Sequence, residues 1–115
     1  MLLVVKKKDG TESRVRIREI PHGQTVTIGR GKDATIPIDD PKASRINTAI
    51  LYWDDIFVIR DADSSNGTFV NGAKIEVGKL TPGDVIKIGD TEIVTSSEAT
   101  SSDATVRLSV PQNEK

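Results

Sequence analysis

Apolar residues in this chain recur mostly at every second position and never hold one face for the ten residues a helix would need, so the pattern predicts β-strands. Residues 2–6 and 14–20 flank Lys8-Asp9-Gly10, and Val15 and Ile17 alternate with Arg14, Arg16 and Arg18. A hairpin with one wet face is expected about that Asp-Gly turn. Short apolar runs follow at 26–29 and 34–38, and a second hairpin joins 49–53 to 56–60 across Asp54-Asp55. Residues 68–70 turn at Asn71-Gly72 into 73–77. Leu80-Thr81-Pro82-Gly83-Asp84 places Pro and Gly where a type II turn wants them, ahead of 85–88, and Gly89-Asp90 leads into 91–95. About ten short strands at this turn frequency predict an all-β fold, a two-sheet sandwich.

After Thr95 the pattern stops. Seven of the eleven residues from 95 to 105 are Ser or Thr and none is a large apolar residue, so residues 1–95 are expected to form one domain and 96–115 a solvated tail or linker. Within the tail, Ser96-Ser97-Glu98-Ala99-Thr100 is nearly repeated by Ser101-Ser102-Asp103-Ala104-Thr105. Val106, Leu108 and Val110 alternate with polar residues, as an extra strand at 105–110 or an edge that pairs elsewhere would. A length of 115 residues supports a modest core without staples. With no cysteine there is no disulfide framework or thiolate metal site. Five apolar residues before Lys6-Lys7-Lys8 are too few for a signal peptide or membrane span, so a cytoplasmic protein with no membrane partner is expected. A net charge of −1 and 3% aromatic residues argue against nucleic acid as a partner. Charge-based recognition must be local.

Three turns carry the right side chains for it. Gly29-Arg30 ends a strand, where Gly lets the backbone turn and Arg offers a planar fork of donors that matches a phosphate. Ser44-Arg45 adds a hydroxyl and a second cation after Asp39-Asp40-Pro41-Lys42-Ala43. Asn66 precedes Gly67 within Ser64-Ser65-Asn66-Gly67-Thr68. Each alone reads as a solvated charge or a turn former; their conjunction points to one anion. Other chemistries fail on position. Asp61-Ala62-Asp63-Ser64-Ser65-Asn66-Gly67 starts like a calcium loop, but its Gly comes one residue late and Gly72 stands where the bidentate Glu belongs. Gly29-Arg30-Gly31-Lys32 continues with Asp33 instead of Ser or Thr, and no helical pattern follows, so no nucleotide loop is supported. His22, the one histidine, lies in Pro21-His22-Gly23 and reads as a turn residue. No enzyme, metal or cofactor is expected.

The stretch from about Val4 to Thr95 resembles a forkhead-associated (FHA) domain, the phosphothreonine-binding β-sandwich module. The match runs through Val26-Thr27-Ile28-Gly29-Arg30, Ala34-Thr35-Ile36, Asp39, Ser44-Arg45, Asp61, Ser64, Asn66-Gly67-Thr68, Val70-Asn71-Gly72, Leu80, Gly83-Asp84 and Ile86-Lys87-Ile88-Gly89. The resemblance implies an FHA/SMAD-like sandwich of about eleven strands with recognition loops at one end. It also implies that Arg30 and Ser44 grip the phosphate and Arg45 adds a second donor. Ser65 contacts phosphate or shapes the γ-methyl pocket, and Asn66 bonds the peptide main chain. Gly29, Asn47, Gly67, Thr68 and Asn71 structure the loops. Lys32 and Lys42 are weaker candidates for reading the residue three after the phosphothreonine. One departure stands out: the family's usual His three residues after the loop Ser is here Asn47, which can supply some of those hydrogen bonds with a shorter reach.

The implied partner is a phosphothreonine-containing protein made by a Ser/Thr protein kinase pathway. The rival reading is a degenerate scaffold that docks partners without regard to phosphate. The tail supplies its own candidate phosphosites, because Thr95 and Thr100 are followed three residues on by Glu98 and Asp103, and Thr105 by Leu108. The domain is thus expected to be able to bind its phosphorylated tail, within one chain or between two.

Overall fold

The computed structural model describes residues 1–17, 25–54 and 56–97. His22, Thr100, Thr105 and the expected strand at 105–110 lie outside them. The described residues hold eleven strands: β1 (Leu2–Lys6), β2 (Glu12–Arg16), β3 (Val26–Gly29), β4 (Ile36–Pro37), β5 (Thr48–Trp53), β6 (Ile56–Asp61), β7 (Thr68–Val70), β8 (Ala73–Ile75), β9 (Val77–Leu80), β10 (Val85–Ile88) and β11 (Thr91–Ser96). They form a six-stranded sheet ordered β2-β1-β11-β10-β7-β8 and a five-stranded sheet ordered β4-β3-β5-β6-β9. The expected all-β sandwich is the fold.

Alternation fills the space between the sheets. Leu3 and Val5 of β1, Ile86 and Ile88 of β10 and Ile93 of β11 are buried from one side, and Ile28, Ile50 and Ile59 from the other. Asn71 (φ 52°) and Gly72 (φ 86°) supply the two left-handed residues of a primed turn between β7 and β8, as their order implied. Pro82-Gly83 makes the type II turn, with Gly83 at φ 99° and the Asp84 amide donating to the Thr81 carbonyl at 3.1 Å.

Two expectations need correction. The run 73–77 is not one strand: β8 pairs with β7, and the chain then crosses at Glu76 so that β9 lies beside β6 in the other sheet. The Asp61 amide holds that crossing through the Glu76 carbonyl at 2.8 Å, and Leu80 closes β9 instead of opening the next turn. A run with period two carries no mark of where it changes sheets. The strand expected at 34–38 shrinks to Ile36–Pro37, which pairs in parallel with β3.

Strand directions define two ends. Gly29, Thr48, Asp61, Thr68 and the β10–β11 turn at Gly89-Asp90 gather at one, which carries the long loops. The β5–β6 and β7–β8 turns, the Thr81–Asp84 turn and Ser97 lie at the other.

Candidate functional site

The loops that meet at the long-loop end follow β3, β4 and β6. The first two are packed backbone to backbone. The Arg30 amide donates to the Ser44 carbonyl at 2.8 Å, the Gly31 amide to the Arg45 carbonyl at 3.1 Å, and the Asn47 amide to the Ile28 carbonyl at 2.9 Å. A Cβ on Gly29 would stand 2.1 Å from the Arg45 carbonyl oxygen. Glycine is therefore needed here for close approach, not for the turn that the sequence suggested.

The third loop is tied in by its neighbours. Ser44 Oγ accepts from the Ser65 amide at 3.0 Å, and Asn66 Nδ2 donates to the Lys42 carbonyl at 2.8 Å. The result is one open hollow of about 460 Å³ lined by Arg30, Pro41, Lys42, Ala43, Ser44, Arg45, Ile46, Ser65 and Asn66. All five residues named from the sequence as phosphopeptide contacts meet there, and so does Lys42. Lys32 is exposed on a neighbouring turn and does not line it.

Arg30 Nε donates to the Ala43 carbonyl at 3.0 Å, which orients the guanidinium, and its terminal nitrogens carry no hydrogen bond among the described residues. Arg45 has one distant partner, Asp33 at 3.7 Å, with both side chains about three quarters exposed. Such a pair is worth little and exchanges readily for a stronger anion. Lys42 Nζ lies 3.1 Å from Asp90.

Beneath the hollow lies a closed polar network. Asn47 is 1% exposed. Its Oδ1 accepts from the Ser44 amide at 3.0 Å, while Nδ2 reaches Thr48 Oγ1 at 3.1 Å, Thr68 Oγ1 at 3.2 Å and the Gly67 carbonyl at 3.3 Å. Thr68 Oγ1 donates to Asp61 Oδ1 at 2.7 Å, so in the 2.8 Å contact between the two threonines the proton belongs to Thr48. Protons thus point one way, from the Asn47 amide through Thr48 and Thr68 to the Asp61 carboxylate. Ser64 completes the loop: its amide and hydroxyl donate to Asp61, at 3.0 and 2.5 Å, and its oxygen accepts from the Gly67 amide at 2.9 Å. Asn47 therefore spans the loops that follow β4 and β6 despite being short, because Thr48 and Thr68 extend its reach.

Burial acts to raise the Asp61 carboxyl, but the hydroxyls of Ser64 and Thr68, the Ser64 amide and the Lys74 charge outweigh it and hold the group below the ordinary carboxylate range. Asp40 is a second anchor. Burial again acts to raise it, and the Lys42 amide, the Thr91 hydroxyl and the Asp90 amide together pull it below its usual value. Gly89 leaves room for this carboxylate, since a Cβ there would lie 2.7 Å from Asp40 Oδ1. The sequence resemblance runs through Asp39, yet Asp39 is exposed and its neighbour is the buried hub. Nothing in the pattern Asp39-Asp40 tells them apart.

Two sequence candidates lie elsewhere. Asn71 belongs to the opposite end, where Nδ2 donates to Asp84 at 3.0 Å and Oδ1 accepts from the Val85 amide at 3.0 Å. It structures a turn, but not a recognition loop. Thr95 is 1% exposed, and its hydroxyl is directed at the Thr81 and Asp84 carbonyls at 2.9 and 2.8 Å. A hydroxyl so placed is closed to a kinase in the folded protein, so Thr95 is withdrawn as a phosphosite.

Among the described residues, no group of three His, Cys, Asp or Glu is placed to hold a metal ion, and no helix is long and apolar enough to cross a membrane. Comparison with known proteins adds three relations. FhaA of Mycobacterium tuberculosis, an FHA domain-containing protein, is 36% identical over 86 residues, 75% of this chain but 16% of its own length. The chain thus spans a small part of that relative. A domain solved in a study of phosphothreonine-dependent FHA domain interactions superimposes with a TM-score of 0.72 at 31% identity, covering 85% of this chain and 98% of that one. The FhaA FHA domain complexed with the intracellular domain of Rv3910 gives 0.68 at 33% identity, covering 80% and 97%. The FHA domain profile itself matches residues 26–89, from the first strand of the five-stranded sheet to the glycine that packs on Asp40, and the chain belongs to the FHA domain family.

Proposed function

We propose that this chain is a binding module, without catalysis of its own, that reads phosphothreonine on a protein modified by a Ser/Thr kinase. The observation that carries the reading is an asymmetry of hydrogen bonding around one hollow. The groups that fix its walls are paired, whereas the end of Arg30 and the hydroxyl proton of Ser44 are left over and the end of Arg45 is held only by its distant, exposed pair with Asp33, all at that hollow. Two guanidinium forks and a hydroxyl suit a group carrying about −1.5 to −2 charge and three strong acceptor oxygens, and suit neither a plain hydroxyl nor a single carboxylate. Asn66, with Nδ2 anchored to Lys42, keeps its carbonyl oxygen for the peptide main chain. The similar domain solved in the study of phosphothreonine-dependent FHA domain interactions supports the same reading.

The test is calorimetry with one peptide selected from a phosphothreonine library, beside its unphosphorylated and phosphoserine counterparts. Binding is expected for the phosphothreonine form alone. Equal affinity for the unphosphorylated peptide would overturn the reading in favour of a phosphate-independent scaffold.

A further inference from the structure

The tail offers a ligand for this site, and the geometry of β11 decides which copy of the site it can use. β11 begins at Thr91, bonded to Asp40 beside the hollow, and runs away from it. Its six residues carry the chain roughly 17 Å along the sandwich. Ser97 then lies with Met1, Ile56, Phe57 and Pro82 at the far end. Thr100 follows three residues later, which fully extended chain spans in at most about 11 Å. It cannot turn back and reach Arg30 and Ser44 of its own molecule. Thr95 is buried within β11. Thr105 has at most about 29 Å of extended chain, and it is followed by Arg107 and Leu108 instead of acids.

We propose that phosphothreonine at position 100 is a ligand for the site of a second copy of this chain, and that this association occurs only between molecules. The inference rests on the phosphothreonine reading of the hollow. Charge favours it: residues 96–106 contain Glu98 and Asp103 and no Lys or Arg, while Arg30, Lys42 and Arg45 line the hollow. The modification is ordinary kinase chemistry. The Thr100 oxygen attacks the γ-phosphorus of ATP, the bond to ADP breaks, and the hydroxyl proton passes to a base of the kinase. Because donor tail and acceptor site lie at opposite ends, the contact is head to tail.

Complementation tests it with chains of residues 1–115. One carries phosphothreonine 100 and Arg30→Ala; the other carries Thr100→Ala and an intact site. Arg30 is exposed, so its replacement leaves the fold in place, and Ser44→Ala serves as a second site variant. Sedimentation of each alone should give the monomer of 12.4 kDa, and the mixture should give twice that mass. No mass increase, while the Thr100→Ala chain still binds a library-selected phosphothreonine peptide, overturns the proposal and leaves the site reading standing. Loss of peptide binding as well brings down both. A phosphorylated chain with an intact site that stays monomeric yet refuses added peptide has filled its own site, which also overturns the proposal.

Discussion

At the far end of the sandwich Asp84 gathers the Thr81 amide and hydroxyl and the Asn71 side chain, and at the recognition end Asp61 gathers the Ser64 amide and the hydroxyls of Ser64 and Thr68. Each is a carboxylate closing a loop by accepting local donors. The difference lies in what remains. At the far end the turns are short and the donors of Asn71 and Thr81 are taken up within them; Thr95 even turns its hydroxyl inward to the carbonyls of Thr81 and Asp84. At the recognition end the same device immobilises longer loops while a second ring of side chains, Arg30, Arg45 and the Ser44 proton, is held outside the closed network. One end is finished by its own hydrogen bonds, and on the proposed reading the other is completed by its ligand.

Substitutions should therefore separate affinity from stability by end. Arg30→Ala removes an exposed fork whose one structural bond is to the Ala43 carbonyl, so thermal unfolding should move little. Its cost in phosphopeptide affinity should be about 2 to 5 kcal/mol, roughly 30-fold to several thousand-fold by calorimetry. An affinity within twofold of the parent would remove Arg30 from the site.

Asn47→Ala strikes the layer beneath and should lower both quantities. The Ser44 amide and the Gly67 carbonyl lose a buried partner at once, and at about 1 to 3 kcal/mol for each such group a loss of roughly 2 to 6 kcal/mol in chemical denaturation is expected. Affinity should fall about tenfold, because Ser44 and the 64–67 loop would no longer share an anchor. A stability loss with unchanged affinity would show that the loops are ordered by other contacts.

The converse experiment is at the far end. Thr95→Val keeps shape but withdraws the hydroxyl from two carbonyls, and about 1 to 2 kcal/mol of stability should disappear while phosphopeptide affinity stays within twofold.

The same contrast explains what could be read without coordinates. Far-end turns were legible because Pro82-Gly83 and Asn71-Gly72 solve a local backbone problem with residues that few other problems require. The residues that line the hollow were legible as a set, since Arg30, Ser44 and Asn66 carry phosphate-compatible side chains and fall in separate turns. The anchors were not. Asp40 differs from Asp39 only in what lies across the sandwich, fifty residues later at Asp90 and Thr91, and Thr48 looks like any β-branched strand residue until Thr68 is placed opposite it. Gly29 was noticed for the wrong reason, because a glycine required by a neighbouring carbonyl and one required by a turn look alike in a sequence. Thr95 misled similarly: its spacing to Glu98 is a local property, and its burial is not.

Acid pH gives the smallest separation of the two ends and the sharpest test of the order in which they fail. The ligand's second phosphate ionisation lies near pH 6, so at pH 5 only about a tenth of it remains a dianion, and affinity should be about tenfold weaker than at neutral pH. The fold should not notice. Asp40, Asp61 and Asp84 all have carboxyls held below their ordinary range in the folded protein. A depressed folded-state value stabilises the fold at any pH above the unfolded value, about 3.9, and that contribution is lost as pH falls further, through the folded value. Unfolding midpoints should thus stay level from pH 7 to 5 while binding weakens, then decline below about pH 4 as all three carboxylates take up protons. A midpoint that fell together with affinity between pH 7 and 5 would mean that the loops, and not the ligand's charge, set the pH dependence of binding.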